Sequence, residues 1–415
     1  MSSTGAATTG GPLDGVRVVE LGVWVAGPGA AGLLAEWGAD VVKIEPFAGD
    51  PARSFGPMLG GTLDDNPVFE LDNRGKRSVV LDLSAPEGID LALDLIAGAD
   101  VFVTNIRPAA LERLGLGPDA LTQRFDRLVY AIITGYGLEG ADADRAAYDI
   151  AAFWARSGMA ASLRAPDGPL PFQRAGMGDH TVAMTGAAMV SAALFARHTT
   201  GRGQVVSTSL LRQGAYTIGF DVNVALLWGR TLAVGVHETM GNPSVNNYKA
   251  GDGHEFWIVG LEGDRHWPPL ARAVGRPEWI DDPRFATARD RFTNARELIA
   301  ALDEIFATRT RAEWAEAFDR EPNLFWAPVN TIDDLLGDEQ FHASGAVVEV
   351  PDENGSRWML ATPADFAGAA PAPRWRAPRL GEHTVEVLAE LGLEPSAIDR
   401  LVETGVAGTA AGSER

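Results

Sequence analysis

The sequence predicts an α/β protein built on a doubly wound parallel sheet, with a smaller α+β domain, and three observations carry that expectation. Short apolar, β-branched runs alternate with helical patterns, the alternation that gives parallel strands covered by helices on both faces. Turns marked by glycine or proline separate the runs from the helices. At 415 residues the chain exceeds the length at which one hydrophobic core usually stops growing, which points to two domains.

Taken in order, "MSSTGAATTGGP" (residues 1–12) lacks the basic start and the apolar stretch of a secretory signal and reads as a flexible leader. Buried strands are expected in "VRVVELG" (16–22), "ADVVKIE" (39–45), "ADVFVTNI" (99–106) and "RLVYAIITGYG" (127–137), each short enough to cross a sheet. Helices are expected in "GPGAAGLLAEWG" from Gly27, "APEGIDLALDLIAG" from Ala85 and "PAALERLGLG" from Pro108. Ligands of such sheets bind beyond the carboxyl ends of the strands, where the turns "GVWVAGPG" and "TNIRPAA" fall. After Asp179, "TVAMTGAAMVSAALFARH" is nearly all small or aliphatic, the composition of a helix packed on every side, and "TTGRG" stops it.

The large domain is thus expected to span residues 13–203 and to return over 331–405, with a strand in "AVVEV" and a loop and helix in "APRLGEHTVEVLAELG". Residues 204–330 make the small domain, with a strand in "GHEFWIVGLEGDRHW" and two amphipathic helices in "PRFATARDRFTNARELIAALDEIFATRTRAEWAEAF". "FAGAAPAPRWRAP" reads as a surface connector, and residues 406–415 as a flexible tail.

Hydrophobic residues make up 46% and charged residues 22% of the chain, as in ordinary globular proteins. No uninterrupted apolar window of about 18 residues occurs, so no membrane-spanning helix is expected. The absence of cysteine excludes disulfides, thiolate metal sites and cysteine nucleophiles, and a cytoplasmic location is the simplest expectation. With 35 basic against 56 acidic residues, a net charge of −21, neither nucleic acid nor an anionic membrane is an expected partner. Anionic small molecules stay open, because a cleft can be locally basic. The seven histidines do not fall at metal-ligand spacing, and neither H-E-x-x-H nor G-x-S-x-G occurs.

Several stretches have both a structural and a functional reading. "VWVAGPGAAGLL" lacks the G-x-G-x-x-G spacing and any following Lys-Ser/Thr, so a tight turn opening a helix leads over a phosphate loop. The cations of "NRGKRSVVLDL" could hold phosphates or form a solvated charged edge. In "TNIRPAALERLG", Asn105, Arg107 and Arg113 follow a strand end at the ligand edge, as phosphate contacts or as helix surface. Tyr148 and Asp149 open a helix whose acidic first turn the helix dipole explains. In "RAGMGDHTVAM", Asp179 reads as a helix N-cap or as a nucleophile. Gly176 and Gly178 leave room for a substrate beside it, and a helix N-terminus keeps a carboxylate ionised near neutral pH and offers N–H groups to an oxyanion. An ionised carboxylate is a competent nucleophile toward an activated acyl group.

The ordered set "LDGVRVVELGVWVAGPGAAGLLAEWGADVVKIEPFAGDPAR", "NRGKRSVVLDL", "ADVFVTNIRPAALERLGLG", "ITGYGLEG", "YDIAAFWARSGM", "GMGD", "TGRGQVVSTSLL" and "LGEHTVEVLAELGL" resembles the class III coenzyme A transferases, the CaiB/BaiF type, which also include α-methylacyl-CoA racemases. The resemblance runs from about Leu13 to Leu393. It implies a six-stranded Rossmann-like large domain, a small middle domain, and a homodimer whose chains pass through one another like linked rings. It implies no metal or redox cofactor, with coenzyme A and acyl-CoA as substrates. Asp179 takes the family's nucleophilic position, forming a mixed anhydride with the donor acyl group and then an aspartyl-CoA thioester. The implied CoA contacts are Val25 and Ala26 in the first loop, Leu81 and Leu83 around the adenine, Asn105, Ile106 and Arg107 on the next loop, Arg113 nearby, and Tyr148 toward the thioester.

Three positions depart from the formyl-CoA branch of the family. Val25 stands for a glutamine, Pro46 for an arginine and Ser84 for a lysine, so Arg53, Lys76 or Arg77 are the candidate replacements for the two lost cations. The tetraglycine loop of that branch is absent and "GLEGDRH" takes its place, which counts against formate or oxalate as substrates. Its neighbourhood supplies Trp257, Glu262 and His266 as candidate acyl selectors. The racemases pair the aspartate with a histidine immediately before "DI"; Tyr148 stands there, and a tyrosine of pKa about 10 is a poor base at neutral pH. CoA transfer is therefore the expected activity, with racemisation and non-catalytic CoA binding as the alternatives.

Overall fold

The computed structural model describes residues 10–61, 66–367 and 375–410. Residues 1–9 of the expected leader, 368–374 of the connector and 411–415 of the expected tail lie outside the described residues. The chain divides into two compact units, one made of the chain up to Leu163, Leu170–Thr231 and the chain from His342, the other of Arg164–Pro169 and Leu232–Phe341.

The large unit carries β1 (Arg17–Leu21), β2 (Asp40–Glu45), β3 (Arg77–Leu81), β4 (Val101–Thr104), β5 (Val129–Thr134) and β6 (Val205–Ser209). They pair in the order β3-β2-β1-β4-β5-β6, all parallel, with Val18 opposite both Val41 and Val101. Strands β4 and β5 are buried along their whole length, which is why they read as unbroken apolar runs. The sheet has seven strands rather than six, because Ala407–Gly408 pairs antiparallel with Val80 and Leu81. That pairing also corrects the expected flexible tail: Val406 and Ala407 are buried.

On one face, Val18, Val41 and Val129 pack under α1 (Ala26–Glu36) and the later long helix that carries Ala183, Ala187 and Val190. On the other, Val42, Phe102 and Tyr130 meet Leu91 and Leu95 of the helix Pro86–Ala97 together with Leu388 and Leu401. The helix α2 (Pro67–Asn73) precedes β3, and α3 (Pro108–Arg113) follows β4; both open on proline, whose missing N–H costs nothing at that position. The long helix is α4 (Met177–Thr200), and it lies close against α1. An added Cβ on Gly186 would come 2.9 Å from Ala30 Cβ, so only glycine permits the approach. Contrary to the expectation, α4 packs on one face within this chain and leaves Phe195 77% exposed. The following α5 (Gly219–Trp228) buries none of its residues and exposes Phe220, Leu226, Leu227 and Trp228.

The small unit holds the antiparallel sheet of β7 (Val245–Lys249), β8 (Glu255–Val259) and β9 (Trp326–Pro328). Its core is aromatic, with Phe256, Trp267, Phe306, Trp314 and Phe318 buried together. Three helices, Ala288–Thr293, Ala295–Phe306 and Arg311–Asp319, stand where two were expected. Asn294 breaks the first from the second, and Thr287 and Thr310 each close a capping box. The unit also begins later than expected: β6 pairs with β5, Tyr130 opposite Val205, which keeps residues 204–231 in the large unit. It runs on to Phe341 rather than ending at residue 330. Among the described residues no helix is long and apolar enough to cross a membrane.

Candidate active site

The sheet order reverses between β1 and β4, so the loops leaving these two strands flank the crevice in which such sheets bind ligands. Asn105, just past β4, clamps the loop after β1. Its Oδ1 accepts the Val23 N–H at 2.9 Å and its Nδ2 donates to the Val23 carbonyl at 2.8 Å. A Cβ on Gly27 would sit 2.8 Å from that Oδ1, so the clamp requires glycine there. Trp24 takes φ 64°, a backbone region unusual for a bulky residue, and its N–H donates to Asp50 Oδ1 at 2.9 Å. Val25 and Ala26, both buried, begin α1. The motif is a turn opening a helix, in line with the reading that led in the sequence.

Beneath this loop lies a fully buried charge network. Glu20 bridges Lys43 and Lys76, each ion pair at 2.6 Å. Lys43 also reaches Asp50 at 2.9 Å and the Gly22 carbonyl at 3.1 Å, while Lys76 donates to the Pro28 carbonyl at 2.8 Å. Burial, with Lys43 adding to it and Glu20 opposing, pulls the Lys76 ammonium down to about 8.

Beyond the carboxyl ends of β1, β2 and β3 opens a cleft with about 600 Å³ of free volume. Leu81, Leu83 and Ile106 line it, as do Pro46 and Ser84, the two positions that lack a cation. All three candidate replacements are already engaged elsewhere. Lys76 is sealed under the loop. Arg77 sits at the opposite end of β3, held by Asp40 at 2.6 Å and by Glu386 and Glu390. Arg53 is spent on Glu45, with bonds of 2.7 and 2.8 Å, and covers the Phe69 ring at 4.1 Å. Arg107 and Arg113, by contrast, are exposed, with no ion pair among the described residues.

Asp179 does not cap α4. Gly176, at φ 75°, holds the cap position, and Asp179 is the third residue of the first turn. Gly178 lies against Phe153, whose Cγ would be 2.5 Å from an added Cβ. Burial, then the charge of Asp149, pushes the Asp179 carboxyl up to about 7; His180 pulls the other way and Asp72 adds a smaller push. The helix end therefore does not hold this carboxyl in the ordinary carboxylate range. A helix N-terminus carries about half a unit charge, which burial and two carboxylates outweigh.

Asp149 is buried, and its Oδ2 accepts Gln173 Nε2 at 2.9 Å and the Gly178 N–H at 3.4 Å. Tyr148, one residue earlier, is 62% exposed and packs edge-on against Trp24, its ring centroid 5.8 Å away. Trp24 of the cleft loop thus meets Tyr148, and the next residue, Asp149, binds the backbone of Gly178 beside Asp179. Asp72 and His180, joined by a 3.1 Å hydrogen bond, complete the surroundings and were not singled out in the sequence. They lie 108 positions apart, and no local pattern pairs them. Trp257, Glu262 and His266 belong to the small unit: Trp257 and Glu262 are exposed, while His266 is buried and accepts the Glu262 N–H at its Nδ1. No group of three or more histidine, aspartate or glutamate side chains among the described residues could hold a metal ion.

Comparison with known proteins converges on one family. The model of CoA-transferase family III matches residues 13–384. An (R)-2-hydroxy-4-methylpentanoate CoA-transferase of Clostridioides difficile is 31% identical over 95% of this chain and 99% of its own. The succinyl-CoA:glutarate CoA-transferase of Mus musculus is 30% identical over 95% and 90%. The crystal structure of a CAIB/BAIF family protein from Brucella suis superposes with a TM-score of 0.79 at 29% identity, covering 92% of this chain and 100% of that one. The chain belongs to CoA-transferase family III and is an enzyme of that class.

Proposed function

We propose that the protein moves coenzyme A from an acyl-CoA donor to a free carboxylic acid, with Asp179 as the nucleophile. The carrying observation is the half-buried Asp179 carboxylate in the first turn of α4, next to Gly178, whose N–H is bound by Asp149, the neighbour of the Tyr148 that packs on Trp24 of the loop opening α1. Its carboxylate attacks the donor thioester carbonyl and expels CoA thiolate, leaving a mixed anhydride. The thiolate attacks the aspartyl carbonyl of that anhydride, which releases the donor acid and leaves an aspartyl-CoA thioester. The acceptor carboxylate then attacks this thioester, expelling thiolate, and the thiolate takes the acceptor acyl group from the second anhydride. One thioester is lost and one formed, so no nucleotide is consumed and Asp179 is regenerated.

In this reading the cleft holds the adenosine end between Leu81, Leu83 and Ile106, while the backbone at Val25 and Ala26 lines the path to the thioester beside Tyr148. Asn105 acts through the loop it clamps, since its amide is committed to Val23. Arg107 and Arg113 supply the phosphate contacts. Arg107→Ala and Arg113→Ala are each expected to raise KM for acyl-CoA roughly tenfold, the size of a lost charge-assisted hydrogen bond, with kcat little changed. An unaltered KM in both variants, measured by initial rates at low salt, removes them from the site.

The uncovered apolar face of α5 supports a homodimer of interlinked chains, and light scattering that gave a monomer mass would overturn it. Racemisation is the weaker reading, because Tyr148, where a racemase would place histidine, packs on Trp24 as an aromatic neighbour. The deciding experiment is incubation with acyl-CoA followed by hydroxylamine or borohydride. Modification of Asp179 in the digested protein supports transfer, whereas α-proton exchange in deuterated water without any Asp179 adduct overturns it. A panel of acyl-CoA donors against hydroxy-acid and dicarboxylic-acid acceptors, the classes named for the relatives, then identifies the acids.

A further inference from the structure

We propose that His180, anchored by the buried carboxylate of Asp72, is a positioning residue that holds a positive charge against Asp179. The inference rests on Asp179 being the nucleophile. Carboxylates from three elements act here: Asp72 of α2 bonds His180, Asp149, just before the turn of helix at Ile150–Ala155, binds the Gly178 N–H, and both charges bear on Asp179 of α4. Such a cluster disfavours ionisation of any one member unless a cation stands beside it. His180 is the side chain placed to be that cation.

Its ring is fixed on two sides. Nε2 meets Asp72 Oδ1 at 3.1 Å, and Cε1 would be 3.3 Å from a Cβ built on Gly176, so the ring lies against the turn that starts α4. Asp72 cannot swing away: its side chain is 3% exposed, and Cβ atoms on Gly29 and Gly32 of α1 would meet its Oδ1 at 3.1 Å and its carbonyl oxygen at 2.6 Å. On the far side, a pocket of about 120 Å³ is lined by His180, Asp72, Leu33, Met184, Glu36 and Arg74. Glu36 and Arg74 pair with each other, so they add little net charge. Lys76 acts on Asp72 from the start of β3, but Glu20 already neutralises it. What His180 faces is therefore negative. Burial works against its protonation, yet the Asp72 hydrogen bond and the charges of Asp72, Asp179 and Asp149 outweigh it and raise the imidazole above its ordinary value.

The carboxylate form of Asp179 is the form that attacks, so transfer should fall as pH drops through about 7. His180→Gln is expected to move this acid limb of kcat/KM up by roughly one unit, the lower end of what a nearby opposite charge does to a carboxylate. Activity at pH 7 then drops about fivefold, while activity at pH 9 stays near wild type. Asp72→Asn frees the imidazole but also removes a negative charge that pushes Asp179 up, so the limb should move less than in His180→Gln. Equal loss of activity at every pH in both variants would mean a purely structural role and overturn the proposal. The carboxyl titration of Asp179 in protein labelled with 13C-aspartate, assigned with Asp179→Asn, reads the same effect without catalysis. An upward midpoint in His180→Gln supports the dyad, and an unmoved midpoint overturns it. A wild-type protein with no transfer activity would instead refute the nucleophile reading and leave this titration to decide on His180.

Discussion

Asp179→Asn is expected to lower CoA transfer by about 10⁴-fold or more, the scale on which removal of a covalent nucleophile is felt, and to make the folded protein more stable at pH 8. The two effects share a cause. An aspartyl carboxyl pushed up to about 7 in the fold and near 3.9 when unfolded binds its proton more tightly in the folded chain. Folding stability therefore falls as pH rises from about 4 to 7 and stays reduced above 7, where the folded state holds a charge it resists. Asparagine never carries that charge. After discounting for the water that reaches this partly exposed group, the gain is about 1–2 kcal/mol, and it should vanish near pH 4. Urea titrations at pH 4.5 and 8, beside initial-rate measurements, check both parts. A variant that is inactive and less stable at pH 8 would point to a structural role; one that retains transfer would end the nucleophile assignment.

Sequence pattern carried the sheet because β1, β2, β4 and β5 are central strands whose burial on both faces forces β-branched runs. It failed where pairing, rather than composition, decides. The strand Ala407–Gly408 is too short to leave a pattern, and its small residues resemble a tail. Strand β6 lies at the sheet edge with its first half exposed, so the glycine turn before it resembled a domain boundary. At the site, the two loops flanking the crevice were legible, since glycine, proline and arginine at strand ends have local causes, whereas the local pattern at Asp179 suggested a helix cap and its nucleophilic role came only from the family resemblance. The electrostatics of the site were not legible. Asp149 had an adequate local explanation in the helix dipole, and only the fold turns it toward Gly178 and Asp179. Lys76 looked like a solvated lysine in a run of cations, and its burial depends on Glu20, 56 residues away.

Glu20→Gln tests that hidden network, and it is expected to cost about 3–5 kcal/mol of stability, the usual penalty for removing one partner of a buried ion pair. Glu20 is 0% exposed and carries both lysines, each at 2.6 Å. Without it, Asp50 remains the only carboxylate within ion-pair distance of Lys43 among the described residues, and Lys76 keeps none. Lys76, already down at about 8, would then shed its proton before leaving an unpaired charge in the core. The sign of the pH dependence follows: a lysine depressed in the fold but near 10.4 when unfolded binds more protons in the unfolded chain, so stability rises with pH between the two values. The variant should be weakest near pH 6.5 and recover part of its loss by pH 9.5. Since Lys43 and Lys76 hold the carbonyls of Gly22 and Pro28, the loop they support should loosen as well, raising KM for acyl-CoA more than it lowers kcat. A loss below about 1 kcal/mol at both pH values, the range of an exposed pair, would show that water reaches the network and that the loop is held by Asn105 and the Trp24–Asp50 bond.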